Sequence, residues 1–225
     1  MKNWNHVERK PEDIRNPKIT SDIYLQFSAI SDDVKANAKE AKGILLDIGA
    51  GMAPYELFFR PYIKKYIKMD GFYYKNGKSD LIGDGMNIPM KDNSVDTVLC
   101  TQVLEHVQNP QKVIDEIKRV LKPNGVCILT THMANPLHGL PHDYFRFTKY
   151  AFTNILFKNF KSIRVKENGG ALLSISQFIC WGISEKLPKI IALPIIVFIN
   201  LTIKPLDKIM FNEMFTTNYI VIAKK

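Results

Sequence analysis

The stretch Leu45-Leu46-Asp47-Ile48-Gly49-Ala50-Gly51 constrains this chain more than any other. A short apolar run reads as a strand buried on both faces, which is what a parallel sheet offers. The run ends in an acid and then in two glycines spaced one apart, and glycine lets backbone approach a ligand where a Cβ would clash. A carboxylate at the tip of such a strand suits a cationic or hydroxyl-bearing ligand. A side chain added at Gly49 is expected to project into the ligand's space and leave the fold largely intact.

From Gly43 to Thr131 strand and helix signals alternate, which argues for a parallel sheet with crossover helices. The strand candidates are Ile44–Ile48, Tyr66–Met69, Leu81–Ile82, Val95–Thr101 and Val126–Thr131. The plainest helix is Pro110 to Leu121, with Asn109 as N-cap and Pro110 in the first turn. Val113, Ile114, Ile117, Val120 and Leu121 share one face, and Lys118, Arg119 and Lys122 sit near the end where the helix dipole favours cations. Pro54–Arg60 is expected to form a short helix stopped by Pro61. Later elements are helical segments over Ala151–Phe157 and Ala171–Leu187 and strands over Ser162–Glu167 and Tyr219–Ala223. The 225 residues suit one α/β domain with appendages. Residues 1–42, with weak helical periodicity from Ser21 to Lys39, are expected to form a cap. Residues 43–225 make the main domain, with an apolar helical insertion over 170–212.

Two rival glycine motifs fail. A dinucleotide fingerprint needs a third glycine where this chain has Pro54, and the phosphate-cradling G-x-x-x-x-G-K-[ST] is absent. Four further segments follow in order: Lys68-Met69-Asp70-Gly71; Leu81-Ile82-Gly83-Asp84-Gly85-Met86; the run Asn93–Val107, which holds Thr101-Gln102 and Leu104-Glu105-His106-Val107; and Val120-Leu121-Lys122-Pro123-Asn124-Gly125. Together with the first motif they resemble the class I S-adenosylmethionine-dependent methyltransferases, in particular the small-molecule (type 11) group, over about residues 43–131. Ala53 stands at the motif's third small position, a mild departure. The resemblance implies a Rossmann-like, doubly wound, mostly parallel seven-stranded sheet with the last strand inserted antiparallel. It implies S-adenosyl-L-methionine as cofactor. Asp47, Gly49, Ala50 and Gly51 would form the turn beside it, Asp70 and Gly71 would hold the ribose hydroxyls, and Asp84, Gly85 and Met86 would border the adenine. Thr101 and Gln102 would face the methionine part.

The sulfonium methyl is already activated, so the protein's work is to align the acceptor and exclude water. An oxygen acceptor also gains from a general base. Candidates cluster in His132–Thr148, after the fifth strand, where loops of open α/β sheets carry function. His142 is the first choice, with Asp143 to orient it or Tyr144 as hydrogen-bonding neighbour, and His132 is the second. His138 and Arg146 are candidates for binding the acceptor, although Arg146 is also suited to pairing with Asp143. His106 reads better as a helix-start or packing residue. His132, His138 and His142, spaced by six and four in a proline-broken loop, form no zinc signature, and no metal is expected.

The net charge of +9 lies in scattered lysines such as Lys64, Lys65, Lys68, Lys75 and Lys78. No nucleic-acid module accompanies them, so no nucleic acid is expected as partner. Three cysteines without paired spacing, and no apolar stretch near the start, argue for a reducing, cytoplasmic setting. Ile190–Ile203 is almost wholly apolar but shorter than the ~20 residues needed to span a bilayer. It reads as a buried or dimer-forming helix pair, or as an interfacial segment with Lys186, Lys189, Lys204 and Lys208 at headgroup level. The leading function is O-methylation of a small or lipid-linked acceptor such as a sugar or glycan. The alternatives are C-methylation of a lipid quinone and an inactive, methyltransferase-like partner subunit.

Overall fold

The computed structural model describes residues 9–71 and 79–225. The first eight residues of the leading segment, and Lys75 and Lys78, lie outside the described residues. Seven strands form a single sheet in the order β3-β2-β1-β4-β5-β7-β6. They are β1 (Ile44–Ile48), β2 (Lys65–Asp70), β3 (Leu81–Ile82), β4 (Val95–Thr101), β5 (Leu121–His132), β6 (Ser162–Asn168) and β7 (Asn218–Lys224). The first five pair parallel, while β7 runs antiparallel to both β5 and β6. This is the expected topology, and its open edge at the carboxyl ends of β1 and β4 is where order reverses and ligands bind.

The helices are α1 (Pro11–Arg15), α2 (Tyr24–Asn37), α3 (Glu56–Phe59), α4 (Pro110–Val120), α5 (Lys149–Ala151), α6 (Ala171–Lys186) and α7 (Lys189–Ile209). In α4 the Asn109 side chain accepts from the Lys112 amide at 3.1 Å, as its cap position demands. Val113, Ile114, Ile117 and Val120 are buried against Val98, Cys100 and Leu129 on one face of the sheet. On the other face, Ile30 and Val34 of α2 pack with Leu45, Leu99, Ile128 and Ile220. The period-two alternation of each central strand therefore feeds two cores, and each buried aliphatic side chain contributes about 1.5–3 kcal/mol. The leading segment is thus part of the core.

Three differences from the expected elements matter. The short third helix begins only at Glu56, because Ala50–Tyr55 is spent on tight turns after β1. The segment after α5 winds wider than an α-helix, with the Phe157 amide reaching the Phe152 carbonyl at 3.0 Å. Most consequential, the apolar run is neither short nor buried. Pro194 and Pro205 stay inside one 21-residue helix, and most of its surface faces outward.

Candidate active site

A cavity of about 440 Å³ opens at the carboxyl ends of β1 and β4. Gly49, Ala50, Gly51, Thr101 and Gln102 form one wall, and His106, His132, Asn135 and His138 form the other. Arg9, Ile14, Ile23, Gln26 and Phe27 of the leading segment close over it, with Trp181 of α6. The leading segment thus supplies one side of the cavity lining.

The first wall is backbone. Gly49 and Gly51 have φ of +64° and +52°, a left-handed conformation open to glycine at little cost. Ala53 and Gln102 also adopt positive φ, +48° and +56°. A Cβ at Gly49 would come 2.5 Å from Val103 Cγ2. This corrects the expectation for that position: a side chain there strains the packing under the turn before it reaches any ligand.

Asp70 at the tip of β2 accepts from the Gly51 amide at 2.7 Å and from the Gly71 amide at 2.8 Å. Each carboxylate oxygen keeps a lone pair for a hydroxyl donor. Asp84 is exposed, and its Oδ1 accepts from the Met86 amide at 2.8 Å, so it holds the turn through Gly85 and Met86 that follows β3. Asp47 does not line the cavity. It is buried beneath the turn, with one oxygen taking the Tyr66 hydroxyl at 2.6 Å and the other left without a hydrogen-bond partner. Burial pushes its carboxyl up to about 7, against the pull of that hydroxyl. Gln102 donates to Thr130 Oγ1 and Asn218 Oδ1, both at 2.9 Å, while its own Oε1 is buried and unpartnered.

The second wall is built from side chains. His132 is buried; Gln26 Nε2 donates to its Nδ1 at 3.1 Å, and its Nε2 stands 3.5 Å from Glu105 Oε1. The Gln26 backbone N–H donates to Gln177 Oε1 at 3.0 Å. Glu105 is fully buried, its Oε2 accepts from Thr131 Oγ1 at 2.7 Å, and burial pushes its carboxyl up. Burial, with His138 and Arg146 nearby, pushes the His132 imidazole well below its ordinary range. Gln26 takes the Nδ1 lone pair and the Nε2–H faces Glu105, so the neutral ring has no lone pair free to act as the base considered from sequence. Glu105, Gln26 and Asn135 were missed at the sequence level. The only signal for Glu105 was a carboxylate within the run after β4.

His142 is exposed and off the cavity. Its Nδ1 lies 2.8 Å from the exposed Tyr144 hydroxyl, and its carbonyl lies 2.7 Å from His106 Nδ1. Asp143 does not orient it. Instead Asp143 meets Arg146 through two bonds of 2.6 and 2.8 Å and takes the His138 amide at 2.9 Å. Burial raises the Asp143 carboxyl, but Arg146 and the His138 amide outweigh it and hold the pKa at about 2. Arg146 also donates to the carbonyls of Asn135, Pro136 and Phe145. That uses all five N–H groups of the guanidinium. Arg146 therefore orders the loop and has no donor left for an anionic acceptor.

His138 remains. Its ring lines the cavity, and its Nδ1 lies 3.0 Å from the Pro136 carbonyl. Asn135 Nδ2 lies 3.1 Å from the same nitrogen; in the tautomer that donates from Nδ1 to the Pro136 carbonyl, Nε2 holds the lone pair, and in the other Nδ1 accepts from Asn135. Burial lowers its pKa and keeps the ring neutral. Glu105, His132 and His138 each offer one ligand atom within 4.8 Å of the others, as do His106, His138 and Asp143. The first group brings in a carboxylate that the histidine spacing did not contain. Thr131, Gln26 and Pro136 give each of its members a hydrogen bond, while Glu105 Oε1 has no partner.

Residues 46–129, the span that builds the first wall, match the family model for a methyltransferase domain. The chain carries a class I methyltransferase domain. Its cofactor is S-adenosylmethionine, and the positive-φ turn, the free lone pairs of Asp70 and the unpartnered Gln102 Oε1 fit such a group. The chain is 30% identical over 135 residues to the human thiol S-methyltransferase TMT1B, covering 54% of each. It is 29% identical over 147 residues to a methyltransferase of Bacillus subtilis, YcgJ, covering 60% of this chain and 56% of that one. The chain thus spans about half the length of the curated relatives it matches. A methyltransferase structure from Archaeoglobus fulgidus superposes with a TM-score of 0.58 at 16% identity, over 95% of this chain and 97% of that chain. The [4+2]-cyclase SpnF superposes nearly as well, at 0.57 and 18% identity over 89% and 81%. The fold alone therefore does not name the reaction.

Proposed function

We propose that this protein transfers the methyl group of S-adenosylmethionine to a hydroxyl of a small or lipid-linked acceptor, with a sugar or glycan as the leading class. The observation that carries the reading is the single cavity joining the glycine turn to a polar, histidine-lined wall. When bound, the cofactor supplies a methyl on a positively charged sulfur. Gly49–Gly51 and Asp70 hold it on one side, with Gln102 Oε1 as an unfilled acceptor for its ammonium. On the other side His138 Nε2 takes the hydroxyl proton, while His106 and Asn135 border the acceptor. The lid from Ile14 to Phe27 and Trp181 exclude water, so the reaction depends chiefly on alignment.

A thiol acceptor is the second reading, favoured by the likeness to the human thiol S-methyltransferase. A neutral His138 serves a thiol as well as a hydroxyl. Labelled S-adenosylmethionine incubated with purified protein and separate sugar, glycolipid, thiol and quinone pools separates the readings. Label in a sugar or glycolipid product supports the proposal. Label only in thiols replaces it with the second reading, and label only in quinones contradicts both.

A further inference from the structure

Helix α7 turns Asn200 and Asp207 inward and leaves most of its apolar side chains outside. Its buried residues are Ala192, Ile196, Asn200 and Asp207, spaced to form one stripe. Asn200 Nδ2 donates to the carbonyls of Ile19 and Ser21 at 2.7 and 2.9 Å. Asp207 accepts from the amides of Gly170 and Leu173 at 2.8 and 2.9 Å, at the start of α6. Ala192 and Ile196 pack on Cys180 of α6. The opposite face is exposed and apolar: Ile190 is 85% exposed, Phe198 67% and Ile209 81%. Leu193, Leu201 and, just beyond, Met214 continue it, and Ile175 and Ile179 of α6 are exposed as well. Exposed apolar surface on this scale, with the polar side chains turned inward, marks an interaction face.

By length and composition α7 could cross a bilayer, at about 31 Å for 21 residues. Its attachments exclude that arrangement. It is fastened to the domain from Ala192 to Asp207, and Lys204 pairs with Asp32 at 2.9 Å, so the helix lies along the protein. The charges around the face are predominantly positive, although exposed Glu185 pairs with Lys186 at 3.0 Å and Glu213 is exposed beside Met214. Between Lys186 and Lys208 the only acid is Asp207, which is buried, while Lys186, Lys189 and Lys208 are exposed. A second copy of this chain would bring those lysines against each other. A layer of anionic headgroups would pair with them while the isoleucines and Phe198 enter the acyl boundary.

We propose that the outer face of α6 and α7 docks the protein on an anionic lipid bilayer, lying in its surface. Phe178 on this face packs against Trp181, ring centroids 5.6 Å apart, and Trp181 lines the cavity. Docking would therefore set the cavity wall beside the lipid. The inference stands apart from the methyl-transfer reading and is measured without turnover.

The test is cosedimentation of the purified protein with phosphatidylcholine vesicles and with vesicles containing phosphatidylglycerol as well. The protein is expected to bind the mixed vesicles about tenfold or more tightly than the neutral ones, and less tightly as salt rises. Phe198→Glu with Leu201→Glu is expected to reduce binding by about 100-fold, as loss of two buried apolar side chains would. Lys186→Glu with Lys189→Glu, which leaves the apolar face whole, is expected to remove the preference for phosphatidylglycerol. Unchanged S-adenosylhomocysteine binding and melting temperature would show that the variants are folded. The inference is overturned if wild type stays in the supernatant with both vesicles. It is overturned equally if wild type is a dimer without lipid that the Phe198/Leu201 variant dissociates while neither binds vesicles.

Discussion

The two walls of the cavity are made by opposite means. The cofactor wall is main chain, Gly49 and Gly51 in left-handed conformations at the tip of β1, backed by Asp70 on the neighbouring strand. The acceptor wall is side chain: Gln26 of α2, Glu105 after β4, His132 at the end of β5 and His138 in the loop, with Gln177 of α6 behind them. A backbone wall needs small residues at a few adjacent positions and repeats from one acceptor to the next. A side-chain wall is free to change with the acceptor, and it requires that every buried donor and acceptor be matched.

Breaking the acceptor wall at its reactive point should have the largest effect. His138→Ala is expected to lower turnover by about 10²–10⁴-fold with S-adenosylhomocysteine affinity unchanged. His142→Ala, off the cavity, should leave turnover nearly intact. If the His142 variant loses turnover and the His138 variant does not, the wall has been assigned to the wrong histidine. Single-turnover rates on a responsive acceptor decide it.

Asp47, beneath the other wall, gives the next effect, and it depends on pH. With a folded pKa of about 7 against an ordinary 3.8, the folded protein holds a proton that the unfolded chain releases. The stability from this protonation is fully present below about pH 4 and is lost as pH rises toward 7. At its steepest the loss is about 1.4 kcal/mol per pH unit. Asp47→Asn removes that slope, so urea midpoints of wild type and variant should diverge between pH 5 and 7. Parallel curves would mean that Asp47 is ionised beneath the turn.

Arg146→Ala leaves the Asp143 carboxylate without its bidentate partner. It should cost about 1.5–3 kcal/mol of stability, the range for bonds to charged groups. Because Arg146 orders the loop, Arg146→Lys should restore only part of the loss, since an ammonium cannot reproduce the planar fork. A variant as stable as wild type that has merely lost affinity for an anionic acceptor would return Arg146 to the role first expected of it.

The contrast between the walls also explains what the sequence could reveal. β1, β4, α4 and the glycine turn were legible because each is a local pattern, an apolar run or a 3.6-residue period ended by Asn109 or by Pro123-Asn124-Gly125. The acceptor wall was not, because Gln26, Glu105 and Gln177 meet only when the lid and α6 fold over the sheet. The loop's histidines were visible as a group, but which one faces the cavity depends on Arg146 and Asp143 pulling the chain from Asn135 to Phe145 together. The α7 stripe of Ala192, Ile196, Asn200 and Asp207 was hidden for another reason: a helix with apolar residues on nearly every face reads as buried until its neighbours are known.

The smallest of these effects bears on the central claim, that the backbone wall binds S-adenosylmethionine through Asp70. Calorimetric titration with S-adenosylhomocysteine, on wild type and on Asp70→Ala, tests it most directly. Wild type should bind at one site, and the variant should bind about 1–3 kcal/mol more weakly, as expected for lost charge-assisted bonds to the ribose. A well-folded wild type that does not bind, or a variant that binds equally well, would contradict the account.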